Sequence, residues 1–176
     1  MYALASQMEA LPIISLQTGE AVAEACQPII ELSSLEILAF RCESSQRRRP
    51  VVLMARDVRQ LASDCIIIDN EDELADPEDI VRIQSMLATS YTPLEKPVVS
   101  DTGRKLGNVD DYTINLETNR IQKLHVRQPM LRSWLGATLI IDRTQIIEIT
   151  LKKITVRDST VKANLMRSEP IPETPS

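Results

Sequence analysis

The feature that most constrains this chain is that its apolar pattern occurs twice. Residues 12–42 read PIISLQTGEAVAEACQPIIELSSLEILAFRC, and residues 97–126 read PVVSDTGRKLGNVDDYTINLETNRIQKLHV. Aligned on Thr18 and Gly19 against Thr102 and Gly103, the offset is 84 residues. At that offset Val22 meets Leu106, Ile30 meets Ile114, Leu32 meets Leu116, Ile37 meets Ile121, Phe40 meets Leu124 and Cys42 meets Val126. Pro12 and Pro97 fall into line with a one-residue gap. Few identities survive, but the apolar positions agree, as they must when two copies of one unit each bury the same face. A chain of 176 residues holds two such units of roughly 80 residues.

The unit reads as strands. Ile, Val and Thr number 42, residues whose branched side chains favour a pleated surface. Aromatic residues are only 3% of the chain, so the core is expected to be aliphatic. In the second half, Pro97 to Val99 starts a strand and Asp101 to Gly103 turns, with Gly free to take a positive φ. Lys105 to Ile114 then alternates on Leu106, Val109, Tyr112 and Ile114, and breaks phase around Asp110 and Asp111 as at a bulge. Leu116 to Asn119 turns again; Ile121, Leu124 and Val126 begin the next strand. Leu139 to Asp142, Ile146 to Ile149 and Ile154 to Val156 complete the series. Short strands with turns every 8–12 residues are the mark of a small barrel. The first half ends in Val51 to Met54, Asp57 to Leu61 and Cys65 to Asp69.

Between the halves the composition changes. Residues 70–79 are acidic and lack alternation. Asp76 suits an N-cap, Pro77 the first helical position and Asp79 a capping box. Ile80, Ile83 and Leu87 then fall on one helical face, which predicts a linker helix over 77–90 packed between the two units. The reading is therefore a mainly β fold. Its parts are a first unit over 8–72, an acidic linker and helix over 73–94, a second unit over 95–160 and a disordered, proline-containing tail over 161–176.

Several function classes are excluded at this level. No apolar run approaches the ~18–20 residues that span a bilayer, and MYALASQMEA has no basic segment leading into an apolar one, as a secretory signal would. The net charge of −5 argues against general nucleic-acid binding. A single histidine, His125, rules out a histidine cluster; strand alternation turns it away from Leu124 and Val126, toward solvent. Cys26, Cys42 and Cys65 are odd in number and lack CxxC spacing, so neither a disulfide framework nor a zinc site is expected, and reduced thiols fit the cytoplasm. Cys42 and Cys65 read as small buried apolar residues. The acidic run from Asp69 fails as a calcium loop, because Leu74 stands at the sixth position and Ile80 at the twelfth. No nucleophile elbow, phosphate loop or metal motif occurs, so no enzymatic activity, cofactor or metal is expected.

The second-half series resembles the opening of a PRC-barrel domain, on Gly103, Leu106, Gly107, Val109 and Asp110 followed by Ile121, Leu124 and Val126. The likeness covers about residues 95–158. Residues 11–70 share it through the repeat alone: Gly19 and Val22 are in place, and Ala23 stands where the second glycine would be. The resemblance implies two small six-stranded antiparallel PRC-type barrels joined by the linker helix, with glycines where a sharply bent sheet brings backbones together. It also implies action by binding, as an adaptor or assembly module, without a shared catalytic set.

Two surfaces are the candidate partner sites. Met130, Leu131 and Trp134 form a loop rich in large apolar groups, and Arg47, Arg48 and Arg49 form a basic cluster at a hairpin tip. The expected partner is a protein, or a second copy of the chain in a homo-oligomer. The competing expectation, by analogy with the ribosome-maturation member of that family, is association with RNA or the ribosome. Acidity and the shortage of aromatics for base stacking stand against it.

Overall fold

The computed structural model describes residues 1–44, 47, 49–62, 64–89, 91–128 and 138–157. Met130, Leu131, Trp134, Arg48 and the 161–176 tail lie outside them. The chain divides into two compact units: unit 1 is Met1–Pro93 with Asp111–Gln122, and unit 2 is Leu94–Asp110 with Lys123–Ser176.

Unit 1 holds β1 (Tyr2–Leu4), β2 (Leu11–Ser15), β3 (Ala21–Glu31), β4 (Glu36–Ser44), β5 (Pro50–Met54), β6 (Gln60–Leu61), β7 (Ile66–Ile68), β8 (Leu74–Ala75) and the helix α1 (Val81–Thr89). In unit 2 lie β9 (Pro97–Ser100), β12 (Thr138–Asp142), β13 (Ile146–Ile149) and β14 (Ile154–Val156). Two strands cross the division, β10 (Lys105–Asn115) and β11 (Arg120–Arg127); their 111–122 portion belongs to unit 1.

In unit 1, β2 to β5 pair antiparallel in sequence order, and β6 pairs antiparallel with β7. β7 runs parallel to β2, with Ile13 opposite Ile66 and Ser15 opposite Ile68. In unit 2, β9 pairs antiparallel with β10, β11 with β12 and β13 with β14, while β14 runs parallel to β9, Ile154 opposite Val98. The expectation of wholly antiparallel barrels is thus corrected: β2 and β7 in unit 1, and β9 and β14 in unit 2, run parallel. The cause is the 3₁₀ turn that follows β5 and the one that follows β12, Ala55–Asp57 and Arg143–Gln145. The preceding strand does not fold back on itself there. In unit 1 the pairings give β6 the same sense as β5, so β7 returns alongside β2 in register with it rather than against it. A chain reversal at that point would have kept the alternation.

Alternation explains most of the burial. In β10, Gly107 and Val109 are buried in one phase and Tyr112 and Ile114 in the other, with the slip at Asp110 and Asp111 that the spacing indicates. A bulge leaves Leu106 as an extra residue opposite β9, and another leaves Val22 extra opposite β2; both side chains are buried. The core of unit 2 is aliphatic, built on Val98, Leu124, Val126, Leu139, Ile141, Ile154 and Val156. β5 breaks the alternation, because Val51, Val52 and Leu53 are all buried. One face of the β3–β5 sheet carries Phe40 and Leu53; the other lies under α1, where Ile83 meets Ile29, Ala39 and Val52. Burying four such residues at roughly 25 cal/mol per Å² is enough to hold a helix of nine residues that would be unstable alone.

The helix starts later than the spacing predicts. Asp76 accepts from the Glu78 N–H, but this caps a 3₁₀ turn at Pro77–Asp79, and Ile80 is extended (φ −119°, ψ 92°) before α1 begins at Val81. α1 is part of unit 1, packed on Ile29, Ala39 and Val52, where the spacing predicts a linker helix between the units. Arg82 reaches back to Glu31 at the end of β3, at 2.6 Å, and Ser34 donates to the same carboxylate, at 2.7 Å. Those two bonds, Ser34 first, hold the Glu31 carboxyl below its usual range. Among the described residues no helix is long and apolar enough to cross a membrane.

Candidate interaction surface

The glycine motif is structural. Gly103 (φ 82°) closes the β9–β10 turn by donating to Ser100 O, at 2.9 Å, and no atom stands within 4 Å of where its Cβ would be. Backbone conformation alone therefore calls for glycine there, as at Gly19 (φ 72°). Gly107 is different: a Cβ there would sit 2.1 Å from Arg127 O on β11. Arg127 is itself tied down, at 3.2 Å to both Glu95 and Asp110. Leu106 and Val109 are core, and Asp110 is an exposed ion-pair partner. None of the motif residues presents a binding group.

The described part of the basic cluster is exposed but engaged with the chain itself. Arg47 donates through Nη1 to Leu74 O, at 2.9 Å, and Arg49 lies 3.5 Å from Asp76. Both therefore clip the β4–β5 hairpin to the segment carrying β8, which is itself paired with β5 (Leu53 opposite Leu74). The sequence shows the arginines and the acids but not their pairing, because β8 is two residues long and carries no pattern of its own. A cleft of about 330 Å³ opens beside this clip, lined by Arg41, Arg49, Pro50, Asp76, Pro77 and Leu87. Its charges are mixed, Arg41 and Arg49 against Asp76 and Glu78, and Arg49 lies 3.5 Å from Asp76.

Unit 2 presents apolar side chains that the sequence reading did not single out. Ile140 on β12 is 46% exposed and Ile147 on β13 is 51% exposed. The signal was present for the first: in Leu139, Ile140 and Ile141, alternation puts the middle residue on the outer face. Ile147 stands out because the β13–β14 register slips between Ile146 and Glu148. His125 is half-buried opposite Ile140, on the face away from Leu124 and Val126.

Thiol chemistry offers little. Burial pushes the Cys42 thiol up to about 12, and desolvation also raises the exposed Cys26 and the half-buried Cys65. All three are poorer nucleophiles than a free thiol at neutral pH. Among the described residues no three His, Cys, Asp or Glu side chains converge as metal ligands would.

No curated protein matches this chain. The family model of the PRC-barrel domain matches residues 88–169. That span takes in β9 to β14 together with the glycine turn, the close approach at Gly107 and the parallel β9–β14 pair. Residues 88–169 of this chain are a PRC-barrel domain.

Proposed function

We propose that the chain is a non-enzymatic protein-interaction module, an adaptor or assembly piece of the cytoplasm, made of two PRC-type units in tandem. The tandem reading is supported by backbone geometry that recurs at the repeat offset. Gly19 corresponds to Gly103 and Leu35 (φ 54°) to Asn119 (φ 51°), and Ala10 (φ 58°) to Glu95 (φ 61°) across the same one-residue gap that aligns Pro12 with Pro97. Left-handed residues other than glycine are uncommon, so two such matches at unrelated side chains speak for a shared backbone path. The parallel pairs β2–β7 and β9–β14 recur as well, as does a 3₁₀ turn after β5 and after β12.

The observation that carries the interaction reading is the contrast between β5 and β12. Val52 is fully buried beneath α1, whereas Ile140, at the matching place in unit 2, is 46% exposed. The same strand position lies under the chain's own helix in one unit and is half exposed in the other, and a half-exposed isoleucine there suits a protein partner. Affinity purification of the intact chain, with chemical crosslinking, tests this against Ile140→Asp, Ile147→Asp and the loop variant Trp134→Ala. The expected result is one crosslinked protein, recovered in fixed proportion by the parent and lost from Ile140→Asp, with circular dichroism unchanged. Equal recovery from all four overturns the reading. Sedimentation with ribosomal particles at low salt would replace it with the ribosome-associated alternative.

A further inference from the structure

The start of β4 and the start of β11 pair inside unit 1 in a reciprocal way. Ile37 N–H donates to Asn119 O, at 2.7 Å, and Ile121 N–H donates to Leu35 O, at 3.0 Å. Residues 35, 36 and 37 correspond to 119, 120 and 121 at the repeat offset of 84. Each corner therefore plays toward the other the part the other plays toward it, and both turn on a left-handed residue, Leu35 and Asn119. A backbone edge that pairs reciprocally with its own counterpart is self-complementary: the same bonds could join residues 35–37 of one molecule to residues 35–37 of another.

The side chains differ where the backbone does not. Glu36 faces Arg120 across the pair, and Arg120 brings Nε (3.3 Å) and Nη2 (2.9 Å) to the same Glu36 oxygen. A like-with-like pairing of two molecules would put Glu against Glu, or Arg against Arg. We propose that Glu36 and Arg120 decide partner choice at this edge, committing each corner to the unlike corner of its own chain and opposing the like corner of a second copy. The side chains are 33% and 46% exposed, so the ion pair adds little to stability. Its use is discrimination, since opposed like charges on paired strands are unfavourable where unlike charges are not.

The test uses full-length Glu36→Arg, which carries Arg at both places, and full-length Arg120→Glu, which carries Glu at both. Each is refolded alone, and the two are refolded together from urea, with one isotopically labelled; native mass spectrometry counts the dimers. In the mixture every contact between unlike molecules at this edge joins Arg to Glu. The expected result is a heterodimer enriched at least about tenfold over the statistical mixture, with the charge-swapped chain Glu36→Arg/Arg120→Glu matching the parent in mass distribution. A statistical distribution, or monomers alone, overturns the proposal. If a single variant fails to fold, the swapped chain decides: parent-like folding and mass support partner choice by charge, and misfolding or new dimers refute it.

Discussion

Replacing Gly107 with alanine probes a close backbone approach in unit 2, between β10 and Arg127 on β11. Gly107 has φ 147°, and the added methyl would stand 2.1 Å from Arg127 O and 2.8 Å from Arg127 C. Two costs add. A side chain in this part of backbone space costs about 1–3 kcal/mol, and forcing β11 away from β10 resembles overpacking, about 1–3 kcal/mol more. β11 cannot move freely, because its backbone is also paired with β12, Val126 opposite Leu139 and Arg127 opposite Thr138. Alanine returns about 0.4–1 kcal/mol by restricting the unfolded chain, so the net loss is roughly 1–5 kcal/mol. Gly103→Ala is the internal control: its φ is also positive but its surroundings are empty, so only left-handed strain of about 1–2 kcal/mol applies, less the same return. Urea titrations of the parent and both variants, with slopes compared, read the difference. The midpoint should fall much further for Gly107→Ala than for Gly103→Ala. Equal midpoints would refute the claim that the Arg127 carbonyl dictates glycine. Ala23, at the matching place in unit 1, lacks a positive φ; Ala23→Gly should therefore cost about 0.5–1 kcal/mol rather than relieve anything.

Two further outcomes follow from buried groups. Tyr91 is buried and its hydroxyl has no hydrogen-bond partner, so Tyr91→Phe should hold or raise stability, by up to about 1–3 kcal/mol; a loss in thermal melting would show that the hydroxyl is satisfied. Burial raises the Cys42 thiol to about 12 and the Tyr91 phenol to about 12. Both are acids whose charged form is disfavoured in the fold, so the unfolded chain ionises first. Stability is then fully present below pH ~8.5 and declines as pH rises toward 12, first through Cys42 and above pH ~10 also through Tyr91. Cys42→Ala should flatten the decline between pH 9 and 10; an unchanged slope in urea titrations there removes the thiol as its source.

The apolar register was legible in the sequence because burying one face of a strand leaves a period of two, and this recovers β10, β12, β13 and β14 nearly residue for residue. The turns at Gly19 and Gly103 were legible because glycine signals a positive φ. The equally left-handed Leu35 gave no sign, since leucine is placed there by the pairing with Ile121 rather than by local preference. β1 and β8 are too short to show a period, and their existence rests on residues more than 20 positions away. The parallel return of β7 and β14 was hidden for another reason: Asp57 to Leu61 reads as one strand, while the chain spends Ala55–Asp57 on a 3₁₀ turn. Of the candidate surface, Arg47 and Arg49 were visible as charges, but their partners Leu74 O and Asp76 become neighbours only once β8 has docked.

β5 and β12 also show how one strand position can carry two fates. Val51, Val52 and Leu53 form an unbroken apolar run, and a strand of that kind is stable only when both faces are covered, which α1 achieves over Val52. Leu139 and Ile141 are buried on either side of an exposed Ile140, so β12 needs only one face covered. A threonine or lysine at 140 would satisfy a strand with a solvent-facing outer side at less risk of aggregation. The aliphatic core of unit 2, Leu139 and Ile141 included, lies on the opposite face, and Ile140 keeps 46% of its surface exposed. The two strands thus differ in what lies over the matching position: α1 over Val52 in β5, and a half-exposed Ile140 in β12.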